Sequence, residues 1–175
     1  MSMSGHQSAR MKSDTWLTPP EILRALGAFD LDPCCPPAMP WTTAARMISP
    51  PRDGLSEPWA GRVWLNPPFG NQAAAWLAKM ADHGNGIALI PARTETRMFF
   101  ASVWPKADAV LFLRGRPHFH RADGTRAAAN SGAPIALVAY GEDNASILAG
   151  CGLGVCVHWS NVPAQRTPGS TTEED

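Results

Sequence analysis

The sequence predicts an α/β fold with a doubly wound sheet, and two observations support this prediction. Short apolar segments alternate with segments of helical pattern, which is the order that places helices on both faces of a largely parallel sheet. Residues 87–90, Ile-Ala-Leu-Ile, form a nearly continuous apolar segment, as is typical of a parallel strand buried on both faces. A chain of 175 residues has room for one domain of ordinary size.

The first part of the chain contains a helix, a strand and a proline-rich segment. In Thr18-Pro19-Pro20-Glu21, the threonine is the expected N-cap of the helix, proline occupies the first turn and the glutamate takes the capping-box position. Gly27 ends this helix, and residues 29–32 form a short strand. Residues 33–51 contain so many prolines that we expect an ordered loop or a lid without regular structure.

Strands and helices alternate through the rest of the chain. Residues 1–13 and 163–175 are polar and rich in small residues, so we expect disordered ends and a single domain over 14–162. The remaining predicted strands are 63–65, 87–90, 109–113, 134–140 and 155–159, and the predicted helices are 72–83, 96–104 and 142–149.

Composition limits the expected partners and compartment. Fifteen Lys and Arg residues balance fifteen Asp and Glu residues, so the overall charge neither supports nor excludes binding to a polyanion. Because its first residues include no apolar segment and nowhere do about eighteen apolar residues follow one another, we expect neither a signal peptide nor a membrane-spanning segment. Its four cysteines lack C-x-x-C spacing and are expected to be buried thiols in a reducing compartment. We therefore expect a cytoplasmic protein without membrane association or bound metal.

The motif Asn66-Pro67-Pro68-Phe69 indicates the chemistry. It follows a predicted strand directly, and α/β sheets bind ligands at the carboxyl ends of their strands. The Asn66 side-chain oxygen and the Pro67 carbonyl are suited to accept hydrogen bonds from a planar amino group, which favours its pyramidal, nucleophilic form. Phe69 is suited to stack on an extruded base. The motif alone also occurs in ordinary turns, but the strand before it and the helix after it favour a catalytic role.

With its flanking motifs, the sequence resembles the amino-methyltransferases that carry an Asn/Asp-Pro-Pro-Tyr/Phe signature. It is most similar to the small phage-type DNA N6-adenine (Dam-like) methyltransferases, and the likeness extends over about residues 16–140. The matching motifs are Trp16-Leu17-Thr18-Pro19, Asp32-Pro33, Asp53-Gly54-Leu55, Leu89-Ile90-Pro91-Ala92-Arg93-Thr94 and Phe112-Leu113-Arg114-Gly115-Arg116-Pro117-His118-Phe119.

The resemblance implies a Rossmann-like class I methyltransferase fold. It also implies an enzyme that transfers a methyl group from S-adenosylmethionine to N6 of adenine in DNA. It also implies that Asp53 accepts a hydrogen bond from the adenine amino group of the cofactor. The chain differs from the family after its first strand, where residues 32–37 contain no glycine-rich turn. The expected catalytic residues are Asn66, Pro67, Pro68 and Phe69. The resemblance implies that Thr18, Pro19, Asp32, Pro33 and Asp53 bind the cofactor, and the aromatic face of Trp16 is suited to lie near its sulfonium.

A basic and aromatic segment, residues 114–126, is suited to grip phosphates and a displaced base, and a solvated surface loop is the alternative interpretation. His118 and His120 in this segment have no third ligand nearby, so no metal is expected. The glycines of residues 150–154 precede a predicted strand and are interpreted as a turn, since a cofactor loop should open a helix. The expected nucleic-acid contacts are Arg93, Arg114, Arg116, Phe119 and Arg121.

Two other functions remain compatible with these motifs. The acceptor can be another planar amino group, such as guanine N2 in RNA or a glutamine amide in a protein. Alternatively, the chain is a degenerate methyltransferase fold that binds DNA without catalysis. Two measurements distinguish these functions: the affinity for S-adenosylmethionine, and which macromolecule receives a labelled methyl group. The sequence predicts neither the recognised DNA site nor the oligomeric state.

Overall fold

The computed structural model describes residues 16–70 and 72–158. The ends expected to be disordered, 1–13 and 163–175, lie outside this part, as does the last residue of the strand predicted over 155–159. The strands are β1 (Leu31–Asp32), β2 (Arg46–Met47), β3 (Val63–Leu65), β4 (Gly86–Pro91), β5 (Ala109–Leu113), β6 (Ile135–Tyr140) and β7 (Gly154–His158). The helices are α1 (Pro20–Leu26), α2 (Ala73–His83), the π-helix Phe99–Val103 and α3 (Glu142–Gly150).

The strands form one mixed sheet in the order β2-β1-β3-β4-β6-β5-β7. The first four are parallel to one another, whereas β6 is antiparallel to both β4 and β5, and β7 is antiparallel to β5. The prediction of an α/β fold is therefore confirmed. The prediction that β4 lies between parallel strands is correct for its neighbour β3 and wrong for its neighbour β6. The apolar sequence of β4 reports burial by helices on both faces, and such burial does not depend on the direction of the neighbouring strand.

Helices cover both faces of the sheet. Side chains alternate along each strand, so Trp64 and Leu89 pack with α1 and α3 on one face, whereas Leu65 and Ile90 pack with α2 and the π-helix on the other. All these side chains are buried. The central strands are thereby held from both sides, and the loops at their carboxyl ends carry the site described below.

The predicted N-cap of α1 is wrong by one residue. Pro19 is the N-cap, no side chain makes a capping hydrogen bond, and Glu21 therefore forms no capping box. A residue that precedes proline is disfavoured in the helical region, so Pro19 stays extended and the helix begins at Pro20. Thr18 is thereby left outside the helix and is only 2% exposed.

Two further segments differ from the prediction. Within the proline-rich stretch, Arg46–Met47 forms β2 beside β1, because residues 41–49 contain no proline to interrupt pairing. The helix predicted over 96–104 is a π-helix over Phe99–Val103, closed by a 3.0 Å hydrogen bond from the Trp104 N–H to the Phe99 carbonyl.

The four cysteines are free thiols, but only Cys35 is buried, so the expectation of burial is wrong for Cys34, Cys151 and Cys156. Among the residues that the structure describes, no helix is long and apolar enough to cross a membrane. In the same ranges, no group of three or more His, Cys, Asp or Glu side chains is arranged to hold a metal ion.

Candidate active site

A cleft of about 780 Å³ opens at the carboxyl ends of β1 and β3. These ends are adjacent because the two strands are parallel, with Leu31 opposite Val63. The segment before α1, the long loop after β1 and the loop between β3 and α2 form its walls. Pro19 is absent from the lining, which does include Trp16, Thr18, Asp32, Pro33, Asp53, Asn66, Pro67, Pro68 and Phe69.

The Asn66 side chain is oriented by one hydrogen bond. Its Nδ2 donates to the carbonyl oxygen of Trp16 at 2.9 Å. Because the nitrogen is engaged, Oδ1 remains as the acceptor, and it receives no hydrogen bond from a described residue. The carbonyl of the next residue, Pro67, likewise accepts none from the described part of the chain. Asn66 and Pro67, which both line the cleft, therefore each keep one acceptor free.

Phe69 lies at the rim of the cleft and is 42% exposed. Its ring meets the ring of Phe119 edge to face, with 6.2 Å between the centroids. Phe119 is itself only 4% exposed. The ring of Phe119 thus supports Phe69 from the core and presents no surface on which a base can stack.

Asp32 places a buried carboxyl group in the cleft. One oxygen accepts from the Cys34 backbone N–H at 3.0 Å and the other from the Thr43 hydroxyl. Burial raises the pKa of Asp32 to about 6, although both hydrogen bonds act in the opposite direction. The sequence did not indicate Thr43, which lies within the proline-rich stretch and has no recognisable motif.

Two polar atoms beside the cleft are buried without a hydrogen-bond partner, namely Thr18 Oγ1 and Trp76 Nε1. Both residues line the cleft. An unsatisfied buried polar group costs about 1–3 kcal/mol, so natural structures rarely retain one without a reason. A ligand with its own donors and acceptors fits this lining better than an apolar ligand does.

The turn over residues 53–57, here called the Asp53 turn, contributes Asp53 and Gly54 to the lining of the cleft. The Asp53 carboxylate accepts from the Leu55 N–H at 3.0 Å and from the Ser56 hydroxyl at 2.5 Å, and these bonds lower its pKa. Gly54 packs against Pro33. A Cβ on Gly54 would lie 1.9 Å from the Pro33 carbonyl oxygen, so the Asp53 turn and the segment that follows β1 meet only because this residue has no side chain.

The predicted nucleic-acid contacts lie outside the cleft but at the same edge of the sheet. β3, β4 and β5 run in the same direction, so Arg93 and Arg114, which follow β4 and β5, share that edge with Asn66. Arg93, Arg114, Arg116 and Arg121 are all exposed. The loop that carries the last three is ordered, because His120 and Leu17 exchange two backbone hydrogen bonds of 2.9 Å.

The Asn-Pro-Pro-Phe motif, with an acceptor free on Asn66 and another on Pro67, lies in the cleft at the carboxyl edge of an α/β sheet. The chain belongs to the DNA N-6-adenine-methyltransferase (Dam) family, whose sequence model matches residues 5–147. No curated protein matches the chain, and no solved structure matches it. At the level of the family, the chain is therefore a DNA adenine methyltransferase.

Proposed function

We propose that the protein transfers a methyl group from S-adenosylmethionine to N6 of adenine in DNA, within a Rossmann-like class I fold. The orientation of the Asn66 side chain is the main observation that supports this proposal. With its nitrogen bound to the Trp16 carbonyl, its oxygen is left free. This oxygen and the Pro67 carbonyl would supply one acceptor for each N–H bond of the amino group. We further propose that the protein acts in the cytoplasm and methylates a specific DNA site.

The chain's own residues address the main difficulty of this reaction, the low nucleophilicity of a conjugated amino nitrogen. S-adenosylmethionine, when bound, supplies an electrophilic methyl group on a sulfonium. Asn66 Oδ1 and the Pro67 carbonyl oxygen stabilise the positive charge that develops on N6 as its bond to the methyl carbon forms. The carbon–sulfur bond would break at the same time to release a neutral thioether, and the methylated nitrogen would then lose one proton to water, so no strong base is required. Pro68 stiffens the loop, and Phe69 stacks on the flipped base and aligns its nitrogen for in-line attack.

The same cleft suits the cofactor. Thr18 Oγ1 is a buried atom without a partner, and the Asp32 and Asp53 carboxylates are acceptors for amino or hydroxyl groups. Trp16 offers an aromatic face to the sulfonium. Gly54 packs on the Pro33 carbonyl, which keeps the Asp53 turn close to the segment that follows Asp32. Pro19, outside the lining, would act by shaping the start of α1.

We propose that four exposed guanidinium groups bind DNA phosphates around the cleft. Phosphate contacts position a duplex without reading its sequence, so the recognised site depends on other features of the interface. Phe119 is buried and supports Phe69 in this scheme. The four arginines are Arg93, Arg114, Arg116 and Arg121.

Direct product analysis tests the proposed function. The protein is incubated with labelled S-adenosylmethionine and unmethylated DNA, the DNA is digested to nucleosides, and N6-methyldeoxyadenosine is quantified by mass spectrometry. The expected result is time-dependent product in DNA alone. Label in RNA or protein would identify another planar amino group as the acceptor, and DNA binding without cofactor binding would favour a non-catalytic protein.

The affinity for S-adenosylmethionine should fall as the pH drops below about 6. Burial raises the pKa of Asp32 to about 6, and the ionised form is the better acceptor for the cofactor. At pH 5 only about a tenth of this group is ionised, so the Kd should be about tenfold higher than at pH 7. The pKa of Asp53 is lowered, so that group stays charged over this range.

Isothermal titration calorimetry at several pH values measures this dependence. Asp32→Asn is the matched variant, and its weaker binding should be independent of pH between 5 and 7. A wild-type Kd that does not change over this range would exclude ionised Asp32 from cofactor binding.

A further inference from the structure

Lys79, on α2, is bound to the Asp53 turn by its ammonium group. Its Nζ donates to the carbonyl oxygens of Leu55 at 2.5 Å, Glu57 at 2.6 Å and Gly54 at 3.4 Å. An ammonium group has three protons and no acceptor, so these contacts use its whole hydrogen-bonding capacity. A half-buried lysine thus directs all of its donors to one turn.

Aromatic side chains complete this attachment. Lys79 Nζ lies 5.0 Å from the centre of the Trp59 ring, within the range of a cation–π contact. Trp59 Nε1 donates to the Gly54 carbonyl at 2.8 Å, so this carbonyl is held by two donors. The Trp59 ring also stacks on Trp76, which lines the cleft.

The position of Lys79 connects two walls of the cleft. Its helix, α2, begins at Ala73, only a few residues after Phe69, and is therefore continuous with the loop that carries Asn66. The Asp53 turn belongs to the long loop after β1. The hydrogen bonds of Lys79 therefore connect the Asp53 turn to the helix that follows the Asn66 motif.

We propose that Lys79 is a positioning residue that holds the Asp53 turn in the conformation that binds the cofactor. This inference rests on the proposed function. A carboxylate on a turn that is already ordered loses little conformational entropy when it binds, whereas a turn without Lys79 must be ordered by the cofactor itself. Loss of Lys79 therefore weakens cofactor binding and leaves the rate at saturating cofactor nearly unchanged.

Calorimetric titration of Lys79→Met with S-adenosylmethionine tests the inference. Methionine preserves much of the length of the side chain and removes its charge and donors. The expected result is a Kd raised by about tenfold or more with unchanged stoichiometry, and a kcat at saturating cofactor within about threefold of wild type. Lys106→Met is the matched control, because it removes an exposed 2.7 Å ion pair with Asp82 outside the cleft. Its Kd should stay within about twofold of wild type.

The outcomes separate the two proposals. Wild-type protein that binds no cofactor would overturn the proposed function and this inference with it. Wild-type binding together with an unchanged Kd in Lys79→Met would overturn this inference alone. Reduced stoichiometry at an unchanged Kd would make Lys79 a stabilising residue only and would also overturn it. If Lys79→Met does not fold, Lys79→Gln is measured in the same way, with a raised Kd again expected.

Discussion

Asn66→Ala should reduce the formation of N6-methyladenine by about 10²–10³-fold, the effect typical of removing one preorganised group that stabilises charge in a transition state. The substitution removes Oδ1, the acceptor left free by the hydrogen bond from Nδ2 to the Trp16 carbonyl. Initial rates on unmethylated DNA, with product quantified as the modified nucleoside, measure the loss. Cofactor affinity should change far less than the rate.

Two further variants distinguish the loss of the Oδ1 acceptor from the loss of the hydrogen bond to Trp16 and from a loss of protein stability. Asn66→Asp keeps an acceptor but cannot donate to Trp16, so its rate should lie between those of wild type and Asn66→Ala. Asn85→Ala is a matched control at the amino end of β4, where it loses a 2.9 Å hydrogen bond with Asn144. It should lower stability by about 1 kcal/mol and leave the rate unchanged. A wild-type rate in Asn66→Ala would remove Asn66 from the mechanism.

Gly54→Ala should weaken S-adenosylmethionine binding by about 5- to 150-fold, as follows from an overpacking cost of about 1–3 kcal/mol. The added Cβ would lie 1.9 Å from the Pro33 carbonyl oxygen, which is closer than any real contact, so the backbone has to move. The Asp53 turn is held in place, because Lys79 and Trp59 both donate to the Gly54 carbonyl. We therefore expect the Pro33 segment to move instead. Asp53 and the loop that follows Asp32 should therefore separate.

Calorimetry and thermal unfolding measure the effect of this substitution. Gly150→Ala is the control, because a Cβ on Gly150 has no neighbour within 4 Å and its φ lies outside the strained positive range. This control should bind the cofactor as wild type does. If Gly54→Ala also binds with wild-type affinity, close contact between Gly54 and Pro33 is not required for the site.

Local sequence patterns predicted most of the strands. Buried strands such as β3 and β4 are short and apolar, with glycine or proline within two residues of each end, and these features depend on neighbouring residues alone. The resemblance to DNA adenine methyltransferases, first inferred from short motifs, is confirmed at the level of the family over residues 5–147. The roles of individual residues in the cleft remain predictions.

The sequence did not predict the positions of side chains whose contacts lie far away along the chain. Phe119 belongs to a basic segment and resembles a surface aromatic, but its ring is buried against Phe69. Thr43 lies in a proline-rich stretch for which the sequence predicts only an ordered loop or a lid, and its hydroxyl donates to Asp32. In each case the partner is distant in sequence, and only the folded chain brings the two side chains together.

The sequence by itself determined the alternation of strands and helices and the motif Asn66-Pro67-Pro68-Phe69 at a strand end, because these follow from local periodicity and from proline. Tertiary structure alone decided that β6 inserts antiparallel between β4 and β5, that Gly54 closes on Pro33 and that Lys79 binds the Asp53 turn. These features depend on strand order and on contacts between distant segments, which one-dimensional periodicity does not encode.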